Sequence, residues 1–338
     1  MNKALTNGAT PLYIASQNGH LEIALVAVKA DVNTALTNGC TPLYIASQNG
    51  HLDVVQALIA AEADLNKALP NGVTPLYIAA EQGHMNVVQA LVAAKADLNK
   101  ANNNGCRPLY IAAQEGHVDV VKALVAGKAD VNKKTADGCT PLYVAAQEGH
   151  VDIVKALVTS RADVNEAKTD DGATPVFIAA QEGNLDVVQA LVEGNADVIK
   201  AATGEWMPLK IATNQNHSVV LVAYLENVIR TQLGNNFVDA ADRGDVNKLR
   251  WFLALGAYVN YSKEGDEGRT ALWKAAQNGR LDIMQALVAV KADVNKVNNN
   301  GATPLIFAAQ EGHFDVMQVL VTAKADVNKA NNKGSTPL

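Results

Sequence analysis

The chain has 338 residues, a net charge of −6 and a mean hydropathy of 0.00. The acidic balance argues against a nucleic-acid scaffold, which needs clustered Lys and Arg to displace counterions from phosphate. No apolar run reaches the ~18–20 residues that span a bilayer, and the start, MNKALTNG, has no basic region leading into an apolar stretch, so neither a membrane span nor a signal peptide is expected.

From the amino terminus onward one hexapeptide recurs. Thr-Pro-Leu-Tyr-Ile-Ala stands at Thr10–Ala15, Thr41–Ala46 and Thr74–Ala79, with variants starting at Arg107, Thr140, Thr174, Met207, Thr270 and Thr303. Pro42, Pro75, Pro108 and Pro141 stand 33 residues apart. A fixed period of that length marks stacked units, none able to bury its apolar face alone. The unit from Asn71 to Asn104 shows the pattern. Asn71-Gly72 is turn chemistry. Thr74 is placed to cap a helix whose first position is Pro75, where the missing N–H costs nothing. Gly83 ends that short helix as a left-handed cap. A second helix follows from about His84 to Ala94, with Met85, Val88, Leu91 and Val92 at helical spacing. Ala96-Asp97-Leu98-Asn99 leads into the next turn.

Gly-x-Thr-Pro-Leu, Ile-Ala-Ala, Gly-His-(Leu/Val)-Asp-Val-Val and Ala-Asp-Val-Asn recur in fixed order over nearly the whole chain, which thereby resembles the ankyrin repeat family. The resemblance implies an all-α repeat solenoid of helix–turn–helix units with β-hairpin loops, here about ten repeats. It implies a non-catalytic scaffold that binds a protein partner through a concave face of hairpins and inner helices, with no cofactor. The second reading is a fragment of a larger effector or channel-like protein, or an engineered scaffold without a natural partner. Asn2-Lys3-Ala4 matches the tail of a repeat, as in Asn66-Lys67-Ala68, so the chain reads as cut from a longer one. A cytoplasmic setting, or delivery into a cell from a parasite or symbiont, is expected. The odd count of three cysteines, Cys40, Cys106 and Cys139, fits free thiols.

Three departures from the family pattern stand out. The His of Thr-Pro-Leu-His becomes Tyr13, Tyr44, Tyr77, Tyr110 and Tyr143, then Phe177, Lys210, Trp273 and Ile306, an aromatic ladder expected to stack between repeats. The glycine that closes the second helix becomes Lys29, Glu62, Lys95, Lys128, Arg161, Asn195, Lys291 and Lys324, and only Gly256 keeps it. The first repeat is two residues short, and the loss falls in its second helix.

Between Glu205 and Gly268 the rhythm fails. The seventh unit runs on through Ser218–Gln232 as a longer closing helix, and Phe237-Val238-Asp239-Ala240-Ala241 resembles an amino-terminal capping repeat. Two arrays are expected: residues 1–232, about seven units with the first short and the seventh cap-like, and residues 233–338, with a cap-like unit at 233–267, two regular repeats and the start of another; the alternative is one continuous stack with a hairpin missing. The exposed apolar side of the last full repeat, around Leu320 and Val321, is expected to promote end-to-end self-association.

Six of the seven histidines follow the same glycine: His20, His51, His84, His117, His150 and His313. They read as one structural position copied, at about 10 Å per repeat, not as a metal site. The Asp-Val-Asn asparagines read as hairpin supports. For binding, the ends of the first helices form a polar, mildly acidic and nearly uniform set: Glu81, Gln114, Glu115, Gln147, Glu148, Gln181 and Glu182. Such a set is either a solvated face of a duplicated array or a surface suited to an extended or periodic partner carrying basic groups. Trp206, beside Met207 at a failed copy of the motif, and Arg107, in place of a capping Thr, complete the candidates, because Trp and Arg are enriched among hot spots.

Overall fold

The computed structural model describes residues 9–27, 31–204 and 206–337. Among these, nineteen helices follow one another. The first twelve form six pairs: α1 (Pro11–Asn18) with α2 (Leu21–Ala27), α3 (Pro42–Gln48) with α4 (Leu52–Ala60), α5 (Pro75–Glu81) with α6 (Met85–Ala93), α7 (Pro108–Gln114) with α8 (Val118–Ala126), α9 (Pro141–Gln147) with α10 (Val151–Thr159), and α11 (Pro175–Gln181) with α12 (Leu185–Glu193). There follow α13 (Pro208–Asn214), α14 (Val219–Arg243), α15 (Val246–Ala254), α16 (Ala271–Gln277), α17 (Leu281–Ala289), α18 (Pro304–Gln310) and α19 (Phe314–Thr322). The chain divides into two compact units, 1–222 and 223–338.

Within the first unit the odd-numbered helices pack in series from α1 to α13, and the even-numbered ones from α2 to α12. The second unit repeats this with α16 on α18, and α15, α17 and α19 in line. The core lies between the two layers. Leu58, Leu91, Leu124 and Leu157 are each fully buried at equivalent positions.

Capping fixes where each first helix starts. Thr10, Thr41, Thr74, Thr140, Thr174, Thr270 and Thr303 each accept from the amide three residues on. Each such cap is worth about 1 kcal/mol. Arg107 and Met207 occupy the same slot without a side-chain cap. At the other end of the second helices, Glu62, Lys95, Lys128, Arg161, Asn195, Lys291 and Lys324 all hold positive φ, between 60° and 71°. The turn therefore keeps the geometry that suits glycine, as Gly256 does at φ 89°. Lys29 lies outside the described residues. The two residues missing from the first repeat fall in a segment, 28–30, that lies outside the described residues.

Side chains and backbone stitch each repeat to its neighbour. His51, His84, His117, His150, His217 and His313 each place Nε2 2.6–3.0 Å from a carbonyl at the end of the preceding first helix. Each ring also lies over the preceding repeat's helix-closing glycine: a Cβ built on Gly83 would come 2.6 Å from His117. That glycine is required twice, for its φ of 73° and for the ring above it. The Asp-Val-Asn asparagines form a second stitch: Asn66 Oδ1 accepts the Asp97 amide at 2.8 Å, and Asn99 Oδ1 accepts that of Asp130 at 3.0 Å. Lysines supply a third, as where Lys100 Nζ donates to the Asn66 carbonyl at 2.7 Å.

Three expectations need correction. The projecting loops hold no strands among the described residues. Each is a turn closed by its own backbone, as in Leu69 N–H to the Val73 carbonyl at 2.9 Å, and adjacent tips are joined by single bonds such as Asn103 N–H to the Asn71 carbonyl. The polar tips are too short to sustain a ladder. The tyrosine ladder makes no ring-to-ring contact among the described residues; its phenols point toward the next repeat instead, with Tyr13 donating to Cys40 Sγ at 3.6 Å. Ring packing across a repeat boundary occurs at Trp273 and Phe307, with centroids 4.1 Å apart. Finally, the closing helix expected over Ser218–Gln232 runs further: α14 continues unbroken for 25 residues through Gly234-Asn235-Asn236, although a glycine inside a helix costs about 1 kcal/mol. At the carboxy-terminal repeat Leu320 is buried, while Val321 and Phe314 are exposed.

Candidate functional site

The ends of the first helices present their side chains while their backbones serve the stack. The Glu81 carbonyl receives His117, the Gln114 carbonyl His150 and the Gln181 carbonyl His217. At the fourth position, Asn184 replaces histidine and reaches the Gln147 carbonyl at 3.4 Å. Glu115, Glu148 and Glu182 follow directly, each exposed at the end of its helix. The neighbouring glutamines bond to them: Gln114 to Glu115 at 3.3 Å, Gln147 to Glu148 at 3.2 Å, Gln181 to Glu182 at 3.5 Å. The structure thus brings seven of the nine sequence candidates into one edge.

Next to this edge lies the tyrosine ladder, which sequence reasoning assigned to packing alone. Burial pushes the Tyr44 phenol up to about 12, with Cys40 and Glu81 adding to it. Burial raises Tyr77 further, and Cys106, Glu81, Tyr110 and Glu115 reinforce the shift. Tyr110 is raised by burial, by Cys139 and Cys106, and by Asp137 and Glu148; Tyr143 by burial and then Asp171, Cys139 and Glu182. At neutral pH these phenols stay protonated. Tyr110 and Tyr143 are flanked by acid on both sides, from the turn tips (Asp137, Asp171) and from the helix ends (Glu148, Glu182). The missed signal was the pair of acids in the turns, Asp137 and Asp171, each one repeat on from the tyrosine it faces.

Trp206 lies at the far end of the edge, half-buried, bridged to Ala202 and with Lys210 Nζ 4.7 Å from its ring centroid. Lys210 fills the slot that earlier repeats give to tyrosine. Arg107 is not displayed with these groups. Its guanidinium reaches the carbonyls of Asn99 at 3.2 Å, Gly105 at 2.8 Å and Lys134 at 2.9 Å, so it ties its own turn to the next. The three thiols are free, and burial is the first cause that raises each of them, so they are poor nucleophiles. Among the described residues no three His, Cys, Asp or Glu side chains gather as a metal site. No described helix is long and apolar enough to cross a membrane.

A family profile described as ankyrin repeats (3 copies) matches residues 1–69, 62–135, 127–202 and 237–331. The chain belongs to the ankyrin repeat family. No curated protein matches it in sequence. Among solved structures it is similar to the human ASB11 ankyrin repeat domain, at 25% identity and a TM-score of 0.57, over 65% of this chain and 98% of that one. Ankyrin repeats are in general protein–protein interaction modules, and their fold is typically non-catalytic. The gap between the matched segments, 203–236, contains Trp206, α13 and most of α14, where the repeat motif itself fails.

Proposed function

We propose that this ankyrin array is a non-catalytic scaffold that binds an extended protein segment carrying Lys or Arg along its concave face, between the turn tips and the ends of the first helices. The observation that carries this reading is the line of exposed carboxylates, Glu115, Glu148 and Glu182, set beside protonated phenols that also face Asp137 and Asp171. Carboxylates accept from ammonium and guanidinium groups. Trp206 with Lys210 supplies an aromatic end stop.

Isothermal titration of lysine- and arginine-rich peptides against the array tests it. Wild type should bind in a salt-sensitive manner, and Glu115→Gln/Glu148→Gln/Glu182→Gln should weaken binding at least about tenfold, at roughly 0.5 kcal/mol or more for each carboxylate removed. Equal binding by the triple variant would sink the assignment. Trp206→Ala is expected to weaken binding while helicity is kept.

A further inference from the structure

Ordinary repeats break the chain before each first helix with an N-cap, as where Thr140 accepts from the Tyr143 amide. Aligned on Ala240-Ala241 and Gly244, which match Ala145-Ala146 and Gly149, that cap slot in the eighth repeat is Asn235. Asparagine is among the best N-cap residues, and Gly234 just before it is the residue that best closes a helix. Downstream of the slot everything is repeat-like. Phe237 and Val238 are buried like Leu142 and Tyr143. The Asp245 amide bonds to the Ala240 carbonyl as His150 does to Ala145, and Gly244 has φ 79°, as Gly149 has. A stop-and-start signal is therefore present, yet α14 passes straight through it.

Two contacts account for this. Asn235 Oδ1, the atom that would cap, instead accepts the Tyr261 hydroxyl at 3.1 Å. The Tyr261 ring also lies so close over Gly234 that any Cβ there would overlap it. Asn236 stands where every other repeat but the one opened by Ala271 has proline, so the amide needed for a continuous helix exists.

We propose that Asn235 is a two-way switch. Bonded to Tyr261, it leaves α14 as one helix. Released, it caps the Val238 amide and divides α14 into a closing helix that ends near Leu233 and a first helix from Asn236 to Arg243. In the divided state the amides of Asn235, Asn236 and Phe237 lose their helical acceptors, while that of Val238 keeps a partner. Residues 223–233 are then no longer held to the axis of 236–243.

Native-state hydrogen exchange on the full chain, read residue by residue, tests the switch. Tyr261→Phe keeps the ring and removes only the hydroxyl. It should speed exchange at 235–237 by about tenfold, the size of one lost hydrogen bond, and leave Val238 slower than these three. Asn235→Ala removes the cap itself, so Asn235→Ala/Tyr261→Phe should return 235–237 to wild-type rates. Unchanged exchange in Tyr261→Phe would overturn the proposal. So would a double variant that stays fast, which would make Tyr261 a simple buttress, or a rise spread over α16–α19, which would mark general loss of packing.

Discussion

Lys95, Lys128, Arg161, Lys291 and Lys324 hold a left-handed backbone that glycine adopts without steric cost. Lys95→Gly is expected to stabilise the chain by about 1 kcal/mol, raising the thermal midpoint by about 2 °C. Calorimetry showing a drop would mean that the lysine stem contributes more through packing than the strain costs. Ser47 offers a second case. Its hydroxyl is fully buried with no partner, at a slot filled by Ala80, Ala113, Ala146 and Ala180 in later repeats. Ser47→Ala should therefore add about 1 kcal/mol, read as a shift in the denaturant midpoint without a change in slope. The two sites differ in legibility. The glycine slot could be read because Gly256 and Asn195 show what the position wants. The unpaired hydroxyl could not, because a serine beside alanine gives no hint that its oxygen finds no acceptor. Arg107 was legible as a lost cap, but not as a guanidinium engaged by three carbonyls, since one of them, Lys134, comes from the next turn, which only folding brings near.

At the level of the element, α1, α3, α5, α7 and α9 each carry a phenol, Tyr13, Tyr44, Tyr77, Tyr110 and Tyr143. Because folding raises the Tyr44 phenol from 10 to about 12, the protonated form is favoured in the folded state. Tyr13, Tyr77, Tyr110 and Tyr143 are raised in the same direction. The unfolded chain then loses these protons first as pH rises. Stability is thus intact below about pH 10, and falls from there toward pH 12 and above. Ultraviolet titration should show most tyrosine absorbance change coinciding with unfolding rather than preceding it; ionisation near pH 10 in a folded chain would contradict the burial argument. Helix boundaries were legible wherever Thr-Pro opened and Gly closed a helix. They failed at 234–236, where the local signal says stop and a tyrosine 26 residues away overrides it. Hairpin strands were expected from resemblance, but the turn tips are joined by too few bonds to form them.

Over the whole molecule, every stitch joins a repeat to its immediate neighbour. Fold class was legible because a 33-residue period admits few other architectures. The edge proposed to bind was only partly so, because Asp137 and Asp171 act on Tyr110 and Tyr143 from turns one repeat on. Nearest-neighbour bonding makes each unit of the solenoid quasi-one-dimensional. Leu124→Ala, which empties a fully buried position, should cost about 2–5 kcal/mol. The increase in hydrogen exchange should be largest in α7–α10 and smallest in α3 and α4. A uniform increase from α3 to α12 would show a single cooperative block instead.

The histidine, asparagine and lysine stitches have one further property. Each regular repeat carries a donor facing one neighbour and the matching acceptor facing the other, as where the Asp97 amide donates back to Asn66 Oδ1 while Asn99 Oδ1 accepts from the Asp130 amide of the next repeat. Copying or excising one full period therefore leaves both new seams chemically matched, with no orphaned group at either side. Array length in such a chain is free to drift by unequal recombination, in whole steps of one repeat, while its edge lengthens or shortens in the same register.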